Sequence, residues 1–311
     1  MQYDVTALGE ILIDFIPNGY DADGDTVFIR KAGGAPLNLL ATVSKFGGNT
    51  AFIGKVGADI FGKFLKDTVL KNGIDAAGLK IDAEHNTTMA FVELSTNGER
   101  DFSFCRRFGA DVFLRENDID TERIKNTKIF HYGSLSSVAE PSASATKYAV
   151  RLAQKSGAIV SYDPNYRPPL WKSQADAVRV MRNDLPFVDI LKVSLEEAQM
   201  LTGYEQKEDC LKALSDFGVS VVLLTDGAVG TSYCINGQNG FLPAEKVQSV
   251  DTTGAGDIFF GTFLSAFLQS KIPLKELDFD RVASFVKTAN HVAALSTLKH
   301  GAIASIPNTM Q

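Results

Sequence analysis

Strand-like and helix-like segments alternate along most of the 311 residues, and no other feature narrows the fold as far. Residues 50–56 read as a short buried strand. Asp59 then caps a helix with Phe61, Phe64, Leu65 and Val69 on one face, and Gly73 stops it. Residues 128–132 form a strand, and residues 141–157 a helix with proline at its start and glycine past its end. Three further apolar, β-branched runs, 158–162, 190–193 and 220–225, are separated by helical patterns. Repeated βα alternation predicts an α/β fold, a mostly parallel sheet with helices on both faces. No repeat, low-complexity tract or Pro/Ser-rich linker interrupts it, so residues 1–311 read as one domain.

Two stretches break the alternation. Residues 14–34 hold an extended piece (26–30) and turn residues, without helical period. Residues 87–107 read as a hairpin: TTMAFVEL, the turn STNG, then RDFSFCR. Asn97-Gly98 supplies the two positive-φ positions that a type I′ turn requires. Such an insertion in an α/β core either covers a cleft or merely decorates the sheet; the sequence leaves both open. Polar residues favour a cleft. Asp163 and Asn165 follow AIVSY, Lys192 and Ser194 close ILKVS, and Thr225 and Gly227 close VVLLT. The carboxyl ends of parallel strands are where open α/β sheets bind ligands.

Composition excludes several classes. Lys and Arg number 31 against 37 Asp and Glu, a net charge of −6 without a basic stripe, which argues against a nucleic-acid partner. The longest apolar stretch, 258–268, is too short for a membrane helix. The start MQYDVTALGE lacks the basic residues and apolar run of a signal peptide. Cys105, Cys210 and Cys234 are odd in number and widely spaced, as in a reducing compartment. The expectation is a soluble cytoplasmic protein. Gly54-Lys55 is no Walker A loop, Gly9-Glu10 opens no dinucleotide fingerprint, and neither zinc spacing nor a G-x-S-x-G elbow is present.

Two glycine clusters remain. In Asp251-Thr-Thr253-Gly254-Ala255-Gly256-Asp257, small residues precede the apolar run IFFGTFLSAFL, which has the length of a buried helix. A helix opening on Gly-Ala-Gly offers free N–H groups and its positive dipole end to an anion. Asp257, in that first turn, would sit beside the anion, where a carboxylate is unfavourable unless it takes a proton. The plainer reading makes it only a helix-end acid. The second cluster, Gly33-Gly34-Ala-Pro36-Leu-Asn38, enters another helix. Asn38 offers both the donor and the acceptor that a sugar hydroxyl needs.

Together these clusters resemble the paired signatures of the ribokinase-like (PfkB) carbohydrate kinases. The likeness extends over nearly the whole chain, from Gly9-Glu-x-Leu-x-Asp14 to Gly301-Ala-x-x-Ser305-x-Pro307. Asp163-Pro-Asn165-Tyr-Arg167-Pro-Pro-Leu-Trp171 and Arg106-x-x-Gly-Ala-Asp111 look most like the fructokinases.

The resemblance implies a ribokinase-like α/β core with a small β-sheet lid, here residues 14–34 and 87–107. It implies transfer of the γ-phosphoryl group of ATP to a hydroxyl of fructose, giving fructose 6-phosphate. Another sugar, 2-keto-3-deoxygluconate or ribose, is the alternative, as is a non-catalytic sugar-binding regulator. Asp257 would be the base, and the amides of Gly254, Ala255 and Gly256 the anion hole. Asp14, Gly33, Gly34, Asn38, Arg106 and Asn165 would hold the sugar, and Arg167 would approach the transferred phosphate. Lys192, Ser194, Thr225, Gly227, Gly230 and Asn290 would line the ATP site. Glu197 would orient hydrated Mg²⁺, although Ser194 replaces the asparagine usual in the family's Asn-x-x-Glu. Asp251, Thr253, Gly301 and Ser305 would surround a monovalent cation such as K⁺. Exposed lid strands such as 87–94 would pair two copies into a homodimer.

Overall fold

The computed structural model describes residues 2–94 and 100–311. In chain order its strands are β1 (Tyr3–Leu8), β2 (Leu12–Tyr20), β3 (Thr26–Gly33), β4 (Thr50–Gly57), β5 (Leu79–Asp82), β6 (Met89–Leu94) and β7 (Arg100–Cys105). They continue as β8 (Thr127–Gly133), β9 (Ile159–Asp163), β10 (Ile190–Ser194), β11 (Val221–Asp226), β12 (Gly230–Ile235) and β13 (Gln238–Pro243). The helices are α1 (Ala35–Lys45), α2 (Ile60–Lys71), α3 (Thr121–Lys125), α4 (Ser142–Lys155) and α5 (Gln174–Asp184). After them come α6 (Leu195–Thr202), α7 (Lys207–Ser215), α8 (Ala255–Ser270), α9 (Phe279–Ser296) and α10 (Ala302–Ser305).

The strands form two sheets. The larger runs β13-β12-β11-β10-β9-β8-β1-β4-β5 and is parallel from β11 to β5. Burial on both faces explains why its central strands read as unbroken apolar runs. In β11, Val221 and Leu223 join the core under α1, α8 and α9, while Val222 and Leu224 join the core under α4 to α7. Local signals placed the helices well. The Asp59 carboxylate accepts from the amides of Phe61 and Gly62 and caps α2. Beyond β11 the alternation ends, because β12 and β13 turn back antiparallel. The residues of β13 are mostly exposed and carry no strong alternation.

The smaller sheet, β3-β2-β6-β7, is built from the two stretches that broke the alternation. The Asn97-Gly98 turn lies outside the described residues. One expectation needs correction. Strand β6 is not an exposed edge, since β2 pairs on one side of it and β7 on the other, and Thr87 and Thr88 before it are buried. Among the described residues the free edges are β3 and β7. Of these, β3 carries the exposed apolar side chains Val27, Phe28 and Ile29.

Candidate active site

Helices α1 and α8 begin at one place, over the carboxyl ends of β9 and β10. Gly254 is the residue before α8 rather than part of its first turn, and it lies in the left-handed region at φ 75°. That turn sends the Ala255 amide to Thr252 O at 3.1 Å. The amides of Gly254 and Gly256 have no acceptor among the described residues, so they are the donors left for an anion. A Cβ on Gly254 would overlap the Ala302 methyl and lie 3.5 Å from Asn38 Nδ2. The tight packing of α10 against this turn therefore requires glycine.

Asp257 faces the start of α1. Asn38 Nδ2 donates to Asp257 Oδ2 at 2.8 Å, while Asn38 Oδ1 is buried without a partner. Buried acceptors are normally satisfied, so this one is open to an outside O–H. Burial pushes the Asp257 carboxyl up to about 6. The Asp163 charge adds to the rise, and the Asn38 hydrogen bond, Lys192 and Arg167 restrain it. A carboxyl poised near 6 is ionised at neutral pH yet basic enough to take a proton.

Beneath the α8 turn, Lys192 Nζ donates to Asp163 Oδ2 at 3.0 Å. A Cβ on Gly256 would lie 3.1 Å from the same Nζ. Burial opposes the Lys192 charge, but Asp163 and Glu197 outweigh it and hold its pKa above the usual value. Lys192 thus sits under the α8 turn, buried and paired with an acid. Asp163 was legible as a polar strand end and as the start of the Asp163-Pro-Asn165 motif. Its pairing with Lys192 depends on β9 lying beside β10.

The other expected residues fall into groups. Glu197 caps α6 with Ser194: Oε1 accepts from Tyr166 N at 2.6 Å and Oε2 from Ser194 N at 2.8 Å, while Ser194 Oγ accepts from Glu197 N at 3.1 Å. Each carboxylate oxygen keeps a lone pair for water, and burial raises its pKa against the pull of Lys192. Asn165 is held at φ 48°, with its amide 3.2 Å from Asp163 Oδ1. Arg167 Nη1 donates to Tyr166 O at 3.1 Å. The Asp14 carboxylate lies against Gly33, where a Cβ would collide with it. Arg106 is buried, with Nε donating to Asp111 Oδ2 and Nη2 to Leu135 O, both at 2.8 Å.

Farther along the sheet, Thr225 Oγ1 donates to Val193 O at 3.3 Å, and Gly227 and Gly230 both take positive φ around the β11–β12 turn. Asn290 Oδ1 accepts from Thr231 Oγ1 at 2.7 Å, and its Nδ2 reaches Leu242 O at 3.3 Å. Asn290 thereby ties α9 to β12 and β13. Asp251 joins the last group: Oδ1 accepts from Thr253 N at 2.8 Å and Oδ2 from Gly301 N at 2.9 Å. Ser305 donates to Ala302 O at 2.8 Å in the same corner. Among the described residues, no group of three or more His, Cys, Asp or Glu side chains gathers as a metal cage. No helix among them is long and apolar enough to cross a membrane.

Comparison with known proteins gives matches along nearly the whole chain. The profile described as pfkB family carbohydrate kinase matches residues 2–309. Fructokinase-1 of Oryza sativa subsp. japonica is 39% identical over 310 residues, 99% of this chain and 95% of the relative. Fructokinase-1 of Zea mays is 39% identical over 306 residues, 97% of this chain and 94% of the relative. Among solved structures, a fructokinase from Xylella fastidiosa with bound ATP superposes at a TM-score of 0.91 with 31% identity, covering 99% of this chain and 96% of that one. A fructokinase from Vibrio cholerae O395 with fructose, ADP and calcium bound gives 0.89 and 31%, over 98% and 96% of the two chains.

Proposed function

The chain belongs to the pfkB family of carbohydrate kinases, and from that premise we propose how its site phosphorylates fructose with ATP. The enzyme is an ATP-dependent carbohydrate kinase, and its reaction converts fructose to fructose 6-phosphate. The observation that carries the atomic reading is the Asn38–Asp257 pair. One amide holds the carboxylate with its donor and leaves its acceptor open. A sugar hydroxyl that donates to Asn38 Oδ1 would be aligned beside the group that must deprotonate another hydroxyl.

In this reading Asp257 takes the proton of the attacking hydroxyl, and the Gly254 and Gly256 amides receive the charge on the transferred phosphoryl group. Preorganised donors and a positioned base are what phosphoryl transfer chiefly needs, since the protein does little covalent chemistry. Lys192 adds positive charge below the donors while Asp163 fixes its position. Asp14, backed by Gly33, and Asn165 supply further sugar contacts. The strand ends at Thr225 and Gly227 accommodate the nucleotide.

Mg²⁺ would neutralise phosphate charge when bound. Glu197 suits contact through water, because both its oxygens already accept backbone amides. The loop that Asp251 closes onto Gly301 suits a monovalent cation held by carbonyls. Release of ADP measured across fructose, ribose, 2-keto-3-deoxygluconate and glucose tests the substrate; fructose is expected to give the highest kcat/KM. Equal turnover without sugar, or none with any, would overturn the reading. Repeating the assay with EDTA, and with tetramethylammonium in place of K⁺, tests both ions; each change is expected to lower the rate.

A further inference from the structure

Glu10 lies between β1 and β2, where the chain leaves the large sheet for the small one, and it is only 3% exposed. It touches the sugar-binding turn twice. Its Oε1 accepts the Ala35 amide at 3.1 Å. Its carbonyl oxygen lies against Gly34, where a Cβ would come within 2.5 Å at a φ of 117°. Ala35 opens α1, and Asn38 stands one turn on, its amide donating to Gly34 O at 3.1 Å. Neither the substrate contacts nor the proton transfer above uses Glu10.

We propose that Glu10 is a positioning residue for the sugar site: it fixes the Gly33–Asn38 turn to the root of the small sheet, and so sets where Asn38 meets both sugar and Asp257. The surroundings support this role. The charged groups facing Glu10 are Arg106, just past the end of β7, and Asp111. Asp111 also accepts from Thr88, just before β6, and Ile13 in β2 donates its amide to Thr88 O at 3.0 Å. The roots of three lid strands therefore converge on one buried cluster, and Glu10 is its link to α1. Two acids face one guanidinium there. Burial drives the Glu10 carboxyl up to about 7, with Arg106 restraining the rise. An ionised carboxylate holds an amide more tightly than a neutral one does, so the grip on Ala35 strengthens as pH rises through neutrality.

The inference rests on the kinase reading, and the test separates the two. In Glu10→Ala, the KM for sugar should rise about tenfold, as expected for losing a buried bond to a charged group. The KM for ATP should stay within about twofold. In Glu10→Gln, which keeps an acceptor of the same size, the sugar KM should be flat from about pH 6 to 8, while that of the parent falls about threefold with rising pH. Glu10→Gln decides the matter if Glu10→Ala does not fold. An unchanged sugar KM in Glu10→Ala, equal losses for both substrates, or a parental pH profile in Glu10→Gln would overturn the proposal. If the parent phosphorylates no sugar, the kinase reading fails by itself. Amide hydrogen exchange at residues 35–38 then decides: faster exchange in either variant supports positioning, and parental exchange overturns it.

Discussion

The side chains of Asn38 and Asp257 meet at 2.8 Å across a sequence separation of 219 residues. The pair joins the two glycine clusters, one at the start of α1 and the other at the start of α8, into a single site. It also divides the labour. In the proposed reading, Asn38 recognises and aligns, and Asp257 accepts the proton.

Asp257→Asn should therefore fold and bind both substrates, but lose the ~10²–10⁴-fold contribution of a positioned base from kcat. Steady-state kinetics on protein shown to be folded by circular dichroism checks this. Were Asp257 only a helix-end acid, asparagine would cap almost as well and kcat would barely change.

The pH dependence follows from the raised carboxyl. Asp257 sits at about 6, above its ordinary value of 3.8, so the base is protonated below that point. We expect kcat/KM to rise between about pH 5 and 7 with an apparent pKa near 6. The sign for stability is opposite. A carboxyl raised on folding favours the folded state most below 3.8, and that contribution is lost as pH climbs to about 6. Thermal melts across this range measure it.

Lys192→Met tests the charge beneath the anion hole. Without the cation, Asp163, Glu197 and Asp257 lose their shared counter-charge. The acid limb of kcat/KM should then move upward by roughly one pH unit. Breaking the buried pair with Asp163 should also lower Tm markedly. A variant with an unshifted limb would leave Lys192 no electrostatic role at Asp257.

Gly254→Ala should be severe for its size. The new methyl would overlap Ala302, and the left-handed backbone costs a non-glycine residue roughly 1–2 kcal/mol. Displacing one anion-hole donor typically costs ~10²-fold in kcat. The ATP-dependent rate and Tm, measured together, separate local displacement from unfolding.

The exposed edge of β3 should hold a second copy. Val27, Phe28 and Ile29 lie on an unpaired strand edge, an arrangement that invites association. Sedimentation should give twice the 33.7 kDa chain mass, and Phe28→Asp should return it to one. A single-chain mass for the parent at micromolar concentration would refute the dimer.

The α/β core was legible because central strands buried on both faces must be apolar throughout, as in VVLLT before Asp226. The helix ends were legible because their signals, such as Asp59, are local. What stayed hidden was pairing. Nothing in QNGFLP reveals that it runs antiparallel beside β12. Lys192 reads as a polar strand end, and only the register of β9 against β10 shows that it sits over Asp163. Glu10 is an ordinary acid in a turn until Ala35, 25 residues later, folds back onto it. That the Ala255 amide turns inward to Thr252 was likewise unreadable, since it follows from the conformation of Gly254.

The smaller sheet has a consequence for the order of folding. Its strands come from two separated stretches of chain, and β2 reaches β6 through a parallel pairing, Ile13 against Met89. Between those stretches lie α1, β4, α2 and β5, all packed into the core. The β2–β6 pairing must therefore close a loop that contains half a core layer, at an entropic cost that falls once that layer is already compact. The sheet cannot nucleate alone or be transplanted as one continuous segment. It is expected to assemble late, with the catalytic cleft already built beneath it.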